Sequence, residues 1–220
     1  MMFRILYNDE MRGFVHSKII ISLWVGLPLL TLLIKYIQPD TDGMPMLIFA
    51  GAMVVSIAGT LAAVMLSTTI TGERNRHVYD LFLTRPVRRV TLLMAKFFAA
   101  ITCLLGAVVM SLGLALVVDA TTGVLVPDLW AQVGGFLLIS VVGLAISSAV
   151  GVLFGVLISS PALSAILSFY LGGNLLSAIL ILPTMLLDGS NILLFTSLMG
   201  VLVPAALMVV AVRVFNRKNL

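Results

Sequence analysis

Six stretches of 19 to 30 residues run through this chain with at most one charged side chain apiece: Ile19–Ile37, Met46–Thr71, Leu92–Val118, Leu129–Ile158, Ala162–Leu182 and Ile192–Val212. A helix of about twenty residues covers the roughly 30 Å hydrocarbon layer of a bilayer. It is also the one conformation in which a single apolar segment satisfies its own backbone there. With 61% hydrophobic and 10% charged residues, the chain lacks the charge that a soluble domain carries on its surface, about 25% of residues. The sequence therefore predicts an all-α integral membrane protein, one transmembrane domain over residues 1–220 with six spans.

Charge orients the spans. With the N-terminus in the cytoplasm, twelve of the thirteen Lys and Arg fall inside: Arg4, Arg12, Lys18, Arg74, Arg76, Arg85, Arg88, Arg89, Lys96, Arg213, Arg217 and Lys218. Only Lys35 falls outside, while Asp40, Asp42, Asp119, Asp128 and Asp188 belong to the outer loops. By the positive-inside rule both termini are expected in the cytoplasm, and the chain in the cell membrane as a multi-pass protein. The pI of about 9.6 does not point to nucleic acid, because the basic residues sit at span ends, where they meet lipid headgroups. Asp9 and Glu10 and the lack of a small-residue cleavage site speak against a removable signal peptide. The lone Cys103 permits no intrachain disulfide.

Residues 1–18 read as an interfacial helix: Phe3, Leu6, Tyr7, Met11 and Phe14 share one face, with Arg4, Asn8 and Arg12 opposite. A short cytoplasmic lead-in with chance periodicity is the alternative. Ser159-Ser160-Pro161 makes a tight turn, since proline suits a helix start. Gly151-x-x-x-Gly155 has close-packing spacing, for a seam within the chain or between copies. Pro28 and Pro204 fall inside spans.

Much familiar chemistry is missing. No ionisable side chain lies deep in a span, where proton-coupled carriers need one. Asn174 is the strongest polar group at depth, suited to an interhelical hydrogen bond or to a translocation path. His16 and His77 are both cytoplasmic, so no Ser–His pair forms within the bilayer. There is no Cys/His cluster for a metal and no Gly-x-x-x-x-Gly-Lys-[Ser/Thr] phosphate loop. The chain is expected to be no enzyme by itself, with no cofactor of its own; any energy must come from another subunit.

One segment stands apart, Gly72 to Lys96, with six of the thirteen basic residues (Arg74, Arg76, Arg85, Arg88, Arg89, Lys96). Glu73 to Leu83 reads as helix continuing from the second span, broken at Thr84-Arg85-Pro86 because the residue before proline avoids helical angles. Leu81, Phe82 and Leu83 are apolar residues held just outside the bilayer, and Leu92, Leu93 and Phe97 carry the chain back in. Residues 72–92 thus read as a helical corner tied to two spans.

Glu73-Arg74, Asp80-Leu81, Thr84-Arg85-Pro86 and Leu92-Leu93-x-x-Lys96-Phe97 together resemble the type-2 permease family of ABC exporters. In that family an acidic-basic pair ends the second span, and an acidic residue, an aliphatic run, a proline turn and a Leu-rich return to Gly-Lys or Ala-Lys follow; here Ala95-Lys96 fits. This chain has His77-Val78 where members usually have Gly-Thr or Gly-Ser. The specific motif covers about 25 residues, and the six-span layout and interfacial helix extend the likeness along the chain. The resemblance implies a permease subunit that moves a substrate with ATP hydrolysed elsewhere. Two such chains, identical or not, would form the path above two cytoplasmic ABC ATPase subunits, which hold ATP and Mg. The coupling surface would comprise Glu73, Arg74, Arg76, Asp80, Leu81, Phe82, Leu83, Arg85, Pro86, Arg88 and Arg89. Of these, Glu73 would make a conformation-linked charge contact, Leu81 to Leu83 would fill a groove on the ATPase, and Pro86 would hold the corner. Apolar spans and short outer loops lean towards a lipid, peptide or hydrophobic drug. Two alternatives use the same residues differently: a membrane anchor or assembly scaffold that recruits a cytoplasmic partner, and an energy-independent channel or scramblase. A third treats the corner as only a positive loop that fixes topology.

Overall fold

Side chains that leave lipid for a helix interface exchange one apolar surrounding for another, so membrane helices associate chiefly where small residues let backbones approach. The computed structural model describes residues 2–37, 45–76, 89–122, 129–186 and 190–217. Among the described residues it holds seven helices: α1 (Met2–Val15), α2 (Lys18–Ile37), α3 (Met46–Asn75), α4 (Arg89–Thr122), α5 (Leu129–Leu157), α6 (Pro161–Leu186) and α7 (Ser190–Arg217). All but α1 are long and apolar enough to cross a membrane, six in number as the sequence predicts. The helices overrun the expected spans at their polar ends, α3 to Asn75 and α7 to Arg217. Helical hydrogen bonding continues past the last apolar residue, and apolar patterning cannot register that.

Two stripes of small residues organise the bundle. On α3 they are Gly59, Ala63, Ser67 and Thr71, four apart and hence on one face. On α5 they are Gly143, Ser147, Gly151 and Gly155. The stripes meet in parallel. A Cβ at Gly59 would touch Ser147, one at Gly151 would collide with the Ala63 backbone, and one at Gly155 would crowd Ser67 O and Ile70. The Thr71 hydroxyl donates to Gly155 O at 3.2 Å, closing the stripe with an interhelical hydrogen bond. The Gly151-x-x-x-Gly155 spacing therefore serves packing within the chain. α6 completes this centre from another side, with Gly172 against Ala63 and Leu176 against the Gly59 and Gly143 positions. Pro161 opens α6 after the tight turn, as predicted, with Ser160 O accepting from Ser164 N.

α1 and α2 pack on α4. The Tyr7 hydroxyl donates to Thr102 Oγ1 at 3.0 Å, and Trp24 Nε1 donates to Cys103 O at 2.9 Å. Thr31 and Ser111 hydroxyls lie 2.6 Å apart, buried. Tyr7, Met11 and Phe14, predicted to share the apolar face of α1, pack into the core against α4. Phe3 stacks edge-on against Phe98. Much of the face expected to meet lipid is thus spent on protein.

At 34 residues α4 is the longest element, about 51 Å at 1.5 Å per residue. It carries a buried charge towards each end, Lys96 and Asp119. Their separation is roughly 35 Å along the axis, close to the thickness of the hydrocarbon layer. Asp119, expected in a loop, lies within the last turn of α4. Its carboxylate accepts from Met46 N at 2.7 Å and Leu47 N at 2.9 Å. Those amides open α3, where no carbonyl of its own can reach them and where the helix dipole favours a negative charge. The cap at Pro45 supplies no side-chain bond, and Asp119 fills that role from another helix.

Candidate functional site at the basic end of the bundle

The last turn of α3 presents three consecutive polar residues, one reaching α4 and two reaching the α5–α6 turn. Successive helical residues point about 100° apart, so one turn can address the whole surrounding bundle. Glu73 Oε1 accepts from Lys96 Nζ of α4 at 2.7 Å. Arg74 reaches the other way, donating through Nη1 to Val156 O at 2.7 Å and through Nη2 to Ser159 Oγ at 2.6 Å. Asn75 Nδ2 donates to Ser159 O at 2.9 Å. Val156 lies in the last turn of α5, where carbonyls lack intrahelical partners and a cation is favoured. Arg74 thus caps α5 as it anchors the α5–α6 turn.

Lys96 is the centre of the other half. Its side chain is 3% exposed and its ammonium also meets Glu10 Oε1 of α1 at 2.7 Å. Glu10 and Glu73 are 21% and 25% exposed, so both carboxylates keep some access to water. Burial pushes the Glu10 carboxyl above its ordinary range; Lys96 pulls it back only in part, and Glu73 and Asp9 add to the rise. One ammonium held by two carboxyl groups clips α1, α3 and α4 together. No group of three or more His, Cys, Asp or Glu converges among the described residues.

Of the expected coupling residues, the structure brings Glu73 and Arg74 into this staple. Arg76 follows in a turn, its N–H donating to Gly72 O at 3.1 Å. α3 ends at Asn75, so Glu73 to Asn75 of the helix expected over Glu73 to Leu83 are helical, and residues 77–83 lie outside the described residues. Asp80, Leu81, Phe82, Leu83, Arg85, Pro86 and Arg88 lie outside the described residues, and Arg89 is the first residue of α4. Asn174 is exposed on α6 and donates back to Tyr170 O of its own helix at 2.7 Å; among the described residues it makes no hydrogen bond to another helix. An amide four residues from a carbonyl on one helix can always close that local bond, which depth in the span does not reveal.

Sequence reasoning missed Glu10 and Ser159. The signal for Glu10 was present, because it falls on the stripe Phe3, Tyr7, Glu10, Phe14, a carboxylate within an apolar face. Ser159 carried none, since a serine in a turn is unremarked until a cation arrives.

A groove of about 430 Å³ opens between α2 and α3, with Ser22, Thr68 and Thr69 along it and Lys18 at its end. Neither a protein-family model nor a curated protein matches the chain.

Proposed function

We propose that this chain is the membrane permease subunit of an ATP-driven exporter of the type-2 ABC kind, with its basic end in the cytoplasm. The observation that carries the reading is the staple of Glu73, Arg74, Asn75, Lys96 and Glu10. Three of its members, Glu73, Arg74 and Asn75, belong to the expected coupling segment 72–92, and Lys96 lies in α4, the helix that follows it. A corner that served only as a topology signal would need no such anchoring. A corner that receives force does, because a push must be shared among helices to tilt them as a body. The staple ties α1, α3, α4 and the α5–α6 turn together through 2.6 to 2.9 Å contacts. The motif from Glu73 to Lys96 supports the same reading from the sequence side.

In this mechanism an ABC ATPase subunit, holding ATP and Mg, docks on the corner in the cytoplasm. Asp80 and the arginines Arg85, Arg88 and Arg89 pair with its surface charges, and Leu81 to Leu83 fill a groove on it. Closure of the ATPase dimer moves the corner, and the staple passes the movement to the bundle. α1 lies along the membrane interface beside α4 and takes part through Glu10. A second permease chain completes the path; a mid-span amide facing hydrocarbon is costly, so the exposed α6 face with Asn174 belongs against that chain or the path. The substrate is a lipid, peptide or hydrophobic drug. The test is to purify the chain with its neighbouring ATPase and screen such compounds for stimulated hydrolysis. A stable single-chain complex without ATPase binding would defeat the proposal.

A further inference from the structure

Away from the staple, α4 and α7 leave between them an apolar groove of about 570 Å³, with Ala145 of α5 at its floor. Its walls include Val90, Met94 and Phe98 from α4 and Val201, Ala205 and Val209 from α7; Arg213 stands at one end. From Arg213 to Val201 is about 18 Å along the helix, close to the roughly 15 Å depth of one leaflet's hydrocarbon. The groove is blind at mid-span. There α7 meets α5 so closely that a Cβ at Gly200 would collide with Val142.

The two ends differ in charge. Arg213 and Arg217, one turn apart on the same face of α7, are both exposed. Neither meets a carboxylate among the described residues. Arg89 opens α4 one position before the lining residue Val90. No Asp or Glu is among the described lining residues. A slot one leaflet deep, apolar throughout and closed at the membrane centre, has the shape of an acyl chain. Arg213 at its end, with Arg217 one turn beyond, lies at headgroup level, where Arg pairs with phosphate through parallel hydrogen bonds.

We infer that the α4–α7 groove is a binding site for an anionic phospholipid of the leaflet on the basic side, its tail along α7 and its phosphate at Arg213 and Arg217. The inference needs α4 and α7 to span the membrane. It does not need the ATPase partner, so it stands or falls separately from the exporter reading.

The test reconstitutes the chain, purified in its native oligomeric state, into nanodiscs of equal parts phosphatidylglycerol and phosphatidylcholine. Gentle detergent extraction and native mass spectrometry then count the retained lipids. The parent should keep phosphatidylglycerol over phosphatidylcholine by about fivefold or more, the scale of one basic residue at a membrane surface. Arg213→Gln with Arg217→Gln should bring the ratio near parity. Ala205→Trp, or Ala205→Leu if the larger side chain prevents folding, should lower retention of both lipids with the arginines intact. Arg12→Gln, which removes an exposed charge from α1, should leave the ratio unchanged. An equal ratio in the parent, an equal fall in Arg12→Gln, or retention indifferent to both Ala205 variants would overturn the site. So would Val201→Cys cross-linking two copies through a short reagent, since a second chain would then cover the groove.

Discussion

Lys96 shows how much one side chain can organise at a membrane boundary. An ammonium this buried survives because two carboxylates face it, and removing it leaves those carboxylates facing each other. Breaking a buried pair costs about 3–5 kcal/mol, and the partial exposure of Glu10 and Glu73 lets water relieve some of that. Lys96→Met should therefore lower the apparent melting temperature in detergent at a fixed scan rate, by the equivalent of about 2–3 kcal/mol. An unchanged melt would mean that the triad holds nothing together. Glu10 adds a pH dependence whose sign is set by its raised pKa. A carboxyl that holds its proton more tightly when folded contributes stability fully present below the unfolded value of 4.5 and lost as pH rises through the folded value. As pH rises from 4.5 through the folded value, the parent should lose stability relative to Glu10→Gln; a difference that stays flat with pH would show that burial does not act on this group. Glu73 and Lys96 were legible as parts of one motif, because both sit in the charged segment. Their contact with Glu10 was not, since 63 residues separate Glu10 from Glu73 and only the packing of α1 on α4 brings them together.

At the scale of the helix, the six spans were written plainly in the sequence, because hydrocarbon tolerates no charge and a backbone there has few alternatives. Which helix lies beside which was not written so plainly. The α5 stripe announces close packing at Gly151 and Gly155, yet many partners could accept it. The matching stripe Gly59, Ala63, Ser67 and Thr71 identifies α3 only once the two are laid side by side. Bulk on this seam should be costly because it meets backbone, which cannot step aside as a side chain can. Gly151→Leu should destabilise the protein by about 3 kcal/mol or more, whereas Gly113→Ala, with nothing within 4 Å of the added carbon, should leave the melt unchanged or raised. Equal melts for the two variants would remove the α3–α5 seam from the centre of the fold. Asp119 belongs to this scale too. Its position near a span end made it look like a loop acid, and its two hydrogen bonds to the start of α3 depend on where α4 ends.

For the whole molecule, the decisive relation is between the staple and the coupling segment proposed to receive force. The two should fail differently. On the proposed reading residues 77–88 belong to the docking surface, and the charge reversal Arg85→Glu with Arg88→Glu should weaken ATPase co-purification, more steeply as salt rises. Arg74 is half-buried, with its guanidinium engaged by Val156 O and Ser159 Oγ. Losing hydrogen bonds from a charged group costs about 1.5–3 kcal/mol, enough to free the α5–α6 turn from α3 without unfolding six membrane helices. Arg74→Ala should therefore keep the ATPase bound while substrate-stimulated hydrolysis falls by about tenfold, each tenfold step being about 1.4 kcal/mol of coupling. Arg74→Lys should recover part of that loss, because a lysine reaches one carbonyl and not both acceptors. Co-purification and hydrolysis are measured on the same preparations. If Arg74→Ala releases the ATPase, the residue is part of the docking surface; if hydrolysis is untouched, force does not travel through α3 to the α5–α6 turn, and the staple is a structural clasp alone.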